Sequence, residues 1–467
     1  MGVLKKTAVA VALAFPTIVF AQSNDDIRRE LEALKQKVKQ LEAAVDKKAD
    51  SSADADARAE FNRTKVKVEA MEDQAEANGV KDLKISGYMD PSYIYNRNAN
   101  TRSFAFLNYN GGTDTTGQAF TYDNDYFGDV VIRFEKELEG GTQWTLELMP
   151  HKGYQTGYNF PSIVNQAFVS IPTVNLQTRL LIGQIGSWPG YEYQMATAKK
   201  TITNNLLFDF TEPTFVTGAG LTFNYGHWDF KTIVGNLNSP RYASNQRSPV
   251  FHYRADYWFT EYSGFGFSGV EGKAPNNTDN TLNGTNSISR LDYFEVDGYY
   301  TRGDLTLQGQ LDFGRQRKAA FNGGDAKWKG FSGLIANKFS PRIEGVLRYD
   351  YLDNSKNGGG LPAVFSPGTE LADGTPCVDA NANSVLCPDS ANGFGPAVDS
   401  AGLVSDPNRG VKRQSLTLGL NYNFTQNTVF KFELRGDRAD QAVFLDTRNN
   451  TFRKDNIIFG TSAVVSW

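Results

Sequence analysis

Charged residues in this sequence recur at every second position. Arg133 and Glu135, Arg254 and Asp256, Glu344 with Arg348 and Asp350, and Lys431 with Glu433 and Arg435 each share one face of an extended segment. In a strand, residues two apart point the same way. Glu147, Arg179, Glu295 and Asp312 take the polar face of their own segments by the same alternation. Rows of both signs opposed across water set up a transverse field, which orients polar solutes and sets ion preference. The plainer alternative is that these charges pair and stiffen a wall. Their mixed signs favour neither anions nor cations. Catalysis finds less support. The chain has 3 His, His151, His227 and His252, with no Gly-x-Ser-x-Gly nucleophile motif and no His/Cys metal spacing. No enzyme, no cofactor and no metal is expected.

The elements that must carry these charges are strands. From Leu83 onward short segments alternate apolar with polar: Leu83–Asn96, Tyr126–Leu138, Gln143–Gly153, Ile163–Pro172, Leu176–Gly186, Thr217–Tyr225, Trp228–Asn236, Val250–Thr260, Gly264–Ala274, Arg290–Arg302, Asp304–Arg315, Lys327–Phe339, Arg342–Asp353, Gln414–Phe424, Thr428–Asp437 and Asp455–Trp467. Leu305, Leu307, Leu311 and Phe313 oppose Thr306, Gln308, Gln310 and Asp312; Leu416, Leu418 and Leu420 oppose Ser415, Thr417 and Asn421. A charged face costs about 2–4 kcal/mol for an Arg or Lys at mid-bilayer, so that face must meet water. The pattern predicts an all-β transmembrane fold, an antiparallel up-and-down barrel of about sixteen strands (14–18), wide enough for an aqueous channel. Composition agrees: 467 residues, 44 Gly, 13% aromatic residues and no apolar run of helix-spanning length after residue 21. The net charge of −4 gives no reason to expect nucleic acid.

Connections alternate short and long. Glu139–Thr142, Gly226-His227, the turn at Arg302–Asp304, Ser340–Arg342 and Thr425–Asn427 are hairpin turns. Arg97–Asp125, Ser187–Phe215, Leu237–Ser248, Pro275–Ser289, Asn354–Arg413 and Arg438–Lys454 are long loops. Ser187–Phe215 carries Trp188, Tyr191, Glu192, Tyr193, Lys199, Lys200, Asp209 and Glu212. Aromatics with both charge signs suit a loop folded inward as a constriction; the alternative is a loop resting on the rim. Cys377 and Cys387, ten apart in one exported loop, are expected to form a disulfide. Asp379, Asn381 and Asn383 have half the spacing of a calcium loop, but no closing Glu follows.

Three domains are expected: 1–21, 22–80 and 81–467. Met1–Ala21 has a basic start, an apolar core and a small-residue end, as in a secretory signal peptide; an uncleaved anchor is the alternative. Ile27, Leu34 and Leu41 alternate with Leu31, Val38 and Val45 at 3-4 spacing, a coiled-coil seam that calls for a partner helix. One amphipathic helix folded back on its own domain would show the same seam. If wholly helical, 22–78 would reach roughly 85 Å.

The last segment, Asn456–Trp467, puts Phe459, Val465 and Trp467 on its apolar face and ends the chain on an aromatic. It resembles the closing strand of a bacterial outer-membrane barrel and is expected to pair with Leu83–Asn96. Gln166–Val169, Leu181–Gln184, Asn204–Phe208, Thr217–Gly220, Val234–Asn238 and Ile85–Asp90 resemble the OmpL-like β-barrel porin family. The N-terminal coil is similar to that of DcaP-like outer-membrane channels. These resemblances imply a porin of a Gram-negative outer membrane, passively passing small polar solutes, anions among them. They imply a homotrimer joined through barrel and coiled coil, outer-membrane lipid around it, and an N-terminal arm in the periplasm. A structural or adhesive barrel tethered through its coil is the other reading. The long Cys-bearing loop departs from the family pattern.

Overall fold

The computed structural model describes residues 36, 61–71, 81–107, 127–149, 163–213, 215–237, 249–276, 287–362, 364, 368–371, 374–389 and 392–467. The strands are β1 (Leu83–Met89), β2 (Ser92–Asn96), β3 (Thr101–Ala105), β4 (Val130–Glu137), β5 (Gln143–Leu148), β6 (Val164–Asn175), β7 (Thr178–Gly186), β8 (Phe215–Tyr225), β9 (Trp228–Leu237), β10 (Val250–Thr260), β11 (Ser263–Pro275), β12 (Ile288–Arg302), β13 (Leu305–Gln316), β14 (Ala326–Ser340), β15 (Ile343–Lys356), β16 (Arg409–Asn423), β17 (Thr428–Ala439), β18 (Phe444–Asp446), β19 (Thr451–Arg453) and β20 (Asp455–Ser466). From β4 to β17 each strand pairs antiparallel with the next. β20 then pairs with β17 on one side and with β1 and β2 on the other, and β1 pairs with β4. The ring is closed, so no wall strand is left as an edge.

The wall has sixteen positions, because two of them are built in two pieces. β1 and β2 form one, broken at Asp90-Pro91, where proline brings no N–H to the ladder. The Asp90 carboxylate accepts from the backbone N–H groups of Gly128 (3.1 Å) and Asp129 (2.6 Å), tying the break to the start of β4. β3 and β4 form the second. Each of the sixteen predicted segments overlaps a wall strand, several of which run a few residues farther, as β16 does by starting at Arg409. β3 departs from the expected loop Arg97–Asp125: the chain turns tightly at Arg97–Asn100, with Asn100 at φ +53, a conformation Asn tolerates. The loop expected at Arg438–Lys454 likewise contains the β18–β19 hairpin.

At closure, Gly87 and Trp467 exchange backbone hydrogen bonds of 3.1 Å in both directions. A Cβ on residue 87 would lie 2.7 Å from the Trp467 ring, so only glycine lets the terminal indole lie flat there. Phe459, Val465 and Trp467 point outward. With them stand exposed Leu307, Leu311, Phe313, Ile335, Leu416, Leu418, Phe432 and Leu434, a contiguous apolar belt. A belt of this extent marks contact with a nonaqueous phase or a partner. Among the described residues no helix is long and apolar enough to cross a membrane.

Of the N-terminal extension, 61–71 is helical and Gln36 lies in a helix. The seam Ile27, Leu31, Leu34, Val38, Leu41 and Val45, like the signal peptide, lies outside the described residues.

Candidate functional site

The ladder registers put all the predicted wall charges on the inner face. Arg133 stands opposite Glu147, Glu295 opposite Asp312, Glu344 opposite Asn421, and Glu433 opposite Gly460. What they face differs around the ring. Residues 187–213, between β7 and β8, run through the interior and bond to the inner face of β6, β10 and β13–β17. Phe215, the end of the predicted loop, instead begins β8.

Thr201–Asn205 is the hub. Its backbone offers N–H groups on one side and carbonyls on the other, and the wall answers both. Glu433 accepts from the N–H of Ile202 (2.6 Å) and of Thr203 (3.0 Å). Arg348 donates to the carbonyls of Thr203 and Asn204, both at 2.8 Å, to Thr201 Oγ1 at 2.6 Å and to Glu192 Oε2 at 3.1 Å. Arg435 donates to Thr203 Oγ1 (2.9 Å) and the Asn204 carbonyl (3.0 Å). Lys431 donates to the carbonyls of Ala196 (2.7 Å) and Lys199 (2.6 Å). Charge-assisted bonds to backbone are among the stronger kinds. Arg348 and Arg435 are wholly buried.

The rest of the loop is fastened the same way. Lys200 pairs with Glu344 at 2.6 Å. Tyr191 and Ser332 share a 2.6 Å hydrogen bond, and Ser332 donates to Asp350 at 2.7 Å. Arg254 donates to the Trp188 carbonyl at 2.8 Å while pairing with Asp256, Glu295 and Asp297. Thr211 donates to Asp312, and Gln310 bridges Glu212 (2.6 Å) and Asp312 (2.9 Å). The Trp188 ring lies 4.7 Å from that of His252. Asn205 caps the helix Leu206–Phe210, its side chain accepting from the Phe208 N–H. Leu207 then packs over Gly330, where a Cβ would stand 2.1 Å from it.

Burial shifts the loop's carboxyls. Asp209 is pushed up to about 8 by desolvation, against the pull of Arg435, Lys199 and Arg348. Glu192 is raised by burial and partly restored by Arg348 and Lys199. Glu212 is raised well above the carboxylate range by burial and by Asp312 beside it. Lys199 donates to Asn204 Oδ1 at 2.8 Å.

Above the loop, the chain between β15 and β16 covers the long-loop end. Phe394 from that segment and Phe444 from β18 meet Phe210 around one cation. The Arg413 guanidinium lies 5.1–5.3 Å from all three ring centres. It also pairs with Asp437 at 2.9 Å and donates to the Asn392 carbonyl. Cys377 and Cys387 are disulfide-bonded, packed with Leu371, Val398 and Val404. Asp379 accepts from the N–H groups of Asn381 and Asn383 (both 2.9 Å), so that spacing builds a turn. Among the described residues no group of three or more His, Cys, Asp or Glu is placed to hold a metal ion.

The inner face of β4 and β8–β10 toward the short turns is different. Side chains of Arg133, Glu135, Asp229, Lys231 and Asp256 keep 16, 28, 15, 12 and 18% of their surface. Tyr193 of the loop, half-buried, lies beside Arg254 and Asp256. Arg179 ties the Gly141 turn, donating to its carbonyl at 2.7 Å. Glu147 is buried, accepting from Asn165 (2.6 Å) and Gln166 (3.2 Å). The charged set expected from alternation leaves out Asp229, Lys231, Arg413 and Thr201–Asn205. Asp229 and Lys231 alternate on the same face as Ile233, which was signal enough. For the other two, what matters is which distant backbone they meet, and the local sequence carries no trace of that.

A family model described as Protein of unknown function (DUF3138) matches residues 48–467. No curated protein matches the sequence. Similar solved structures include an anion-selective porin from Comamonas acidovorans (TM-score 0.49, 11% identity, 82% of this chain and 99% of that one). The outer membrane channel DcaP of Acinetobacter baumannii is similar at TM-score 0.47 and 11% identity, over 82% of this chain and 97% of that one. OmpF of Salmonella typhi, in complex with daunomycin, is similar at TM-score 0.47 and 10% identity, with the same coverage.

Proposed function

The chain belongs to the DUF3138 family, and we propose that it is an outer-membrane porin, a narrow passive channel for small polar solutes. One observation carries this reading: five charged side chains on the inner wall keep contact with water while the outer wall is an apolar belt. Lipid-facing apolar residues and lumen-facing charges on one strand are what a spanning barrel needs. The passage runs beside Tyr193 along the short-turn ends of β4 and β8–β10, because residues 187–213 bond chiefly to β13–β17 and meet β4 only farther along, where Met195 and Ala196 pack with Val131. The exposed strip holds two cations and three carboxylates, so it supplies no basis for anion preference. The finer parts belong to the same proposal. Met1–Ala21 exports the chain, the short turns and N-terminal arm face the periplasm, and three copies assemble through barrel and coil.

Planar-bilayer recording of the purified protein tests it. Discrete steps smaller than those of an open barrel of this strand number are expected. A protein that inserts but never conducts would overturn the channel in favour of the tethered structural barrel. That second reading draws on how closely the inner loop and the cap over the long-loop end pack. Removing 22–78 tests the arm: trimers that persist unchanged would take assembly away from the coil.

A further inference from the structure

On the outside of the barrel, at the long-loop end, β12–β15 frame a groove of 480 Å³. Its floor is Phe294 and Phe313, both exposed members of the apolar belt. Its upper edge is charged, and the pairing there is unequal. Glu271 and Asp292 are both held by Arg290, at 2.9 and 2.6 Å. Arg315 is held by Asp325. Asp353 accepts from Ser355 Oγ at 2.7 Å and approaches Lys412 at 4.0 Å. Among the described residues Lys327, Lys329 and Lys356 make no ion pair within 4.0 Å, apart from the longer-range action of Lys327 on Asp325. Lys329 stands directly across from Phe313 in the ladder, and Lys327 across from Arg315. Lys329 also stands across the ladder from Asp353, and Lys327 acts on Asp325, so the groove presents ammonium groups beside carboxylates, above an aromatic floor that continues into the belt.

We propose that this groove binds a membrane lipid whose headgroup carries a phosphomonoester. The phosphate would meet Lys327 and Lys329, whose flexible stems carry the charge to the headgroup level. The acyl chain would lie on Phe313 and the neighbouring Phe331. A dissolved anion would have no use for the aromatic floor, which is why a lipid is the occupant. The proposal rests on the belt facing lipid, as in the porin reading.

The test is native mass spectrometry of the full chain released from micelles holding equal phosphatidic acid and phosphatidylcholine of matched chains. Wild type is expected to retain the phosphomonoester lipid roughly tenfold over the zwitterionic one. Lys327→Gln with Lys329→Gln removes that preference, and Lys327→Arg with Lys329→Arg keeps it. Lys338→Gln, near the turn at the opposite end, leaves it unchanged. Equal retention of both lipids, or a double Gln variant that behaves as wild type, overturns the site. Displacement of the adduct by inorganic phosphate would assign the lysines to a soluble anion and overturn the lipid. A chain that fails to enter bilayers at all sinks the belt instead, so the two failures are distinguishable.

Discussion

The inner faces of β13–β17 and of β4 with β8–β10 are made of the same residue types and do different work. On the first, Arg348, Arg435, Lys431 and Glu433 spend their bonding capacity on the backbone of residues 196–204. On the second, Arg133, Lys231 and their carboxylate neighbours pair with one another and keep water. Charge on a barrel's inner wall therefore marks either an anchor or a surface left open to water. The deciding factor is whether another stretch of chain covers it. Buried charges without partners are costly, so each buried Arg and Lys of the covered wall is met by carboxylates or backbone carbonyls. The open wall carries no such demand.

That contrast should be easiest to break at Arg348. Arg348→Ala takes the ion-pair partner from buried Glu192 and Asp350 and one of two donors from each of the Thr203 and Asn204 carbonyls, costing about 3–5 kcal/mol. The loop should come off the wall, seen as new proteolytic cleavage within 187–213 and a larger conductance step. Arg413→Met is expected to cost less, about 2–3 kcal/mol, because Arg435 still pairs with Asp437 and a thioether suits three aromatic rings. Its signature is a lowered thermal transition with loosening of the cap and an unchanged conductance step.

The loop's carboxyls predict a pH dependence. Asp209 sits near 8 in the folded chain against an ordinary 3.8. The folded state thus holds a proton that the unfolded state releases. Stability is full below about pH 4 and declines as pH rises toward 8. Asp209→Asn should flatten that decline, measured as the thermal transition temperature between pH 5 and 9. The smallest stability effect belongs to the open strip. Arg133→Gln and Lys231→Gln should each change stability by less than about 1 kcal/mol. Both should move the reversal potential in a salt gradient toward cations.

The sequence made the barrel legible, because period-2 alternation is local and every wall strand carries it. Leu305–Phe313 and Ser415–Asn421 show it most plainly, and the inward set of charges followed. Which charges would be covered was not legible. Arg348 meets Glu192 across 156 positions and Thr203 meets Glu433 across 230. A Thr-Ile-Thr-Asn-Asn run reads only as loop until the wall that answers its backbone is in place. Asp90-Pro91 hid the break in the first wall position, since proline there disturbs one bond while the alternation continues across it.

The division between anchoring and lining surfaces is tested most directly by thiol accessibility during single-channel recording. Both native cysteines are disulfide-bonded, so an introduced cysteine is the reactive one. Lys231→Cys on the open wall and Thr417→Cys on the covered wall are each exposed to a charged, water-soluble methanethiosulfonate. The account predicts stepwise block at Lys231→Cys and no change at Thr417→Cys. Block at Thr417→Cys as fast as at Lys231→Cys would contradict it.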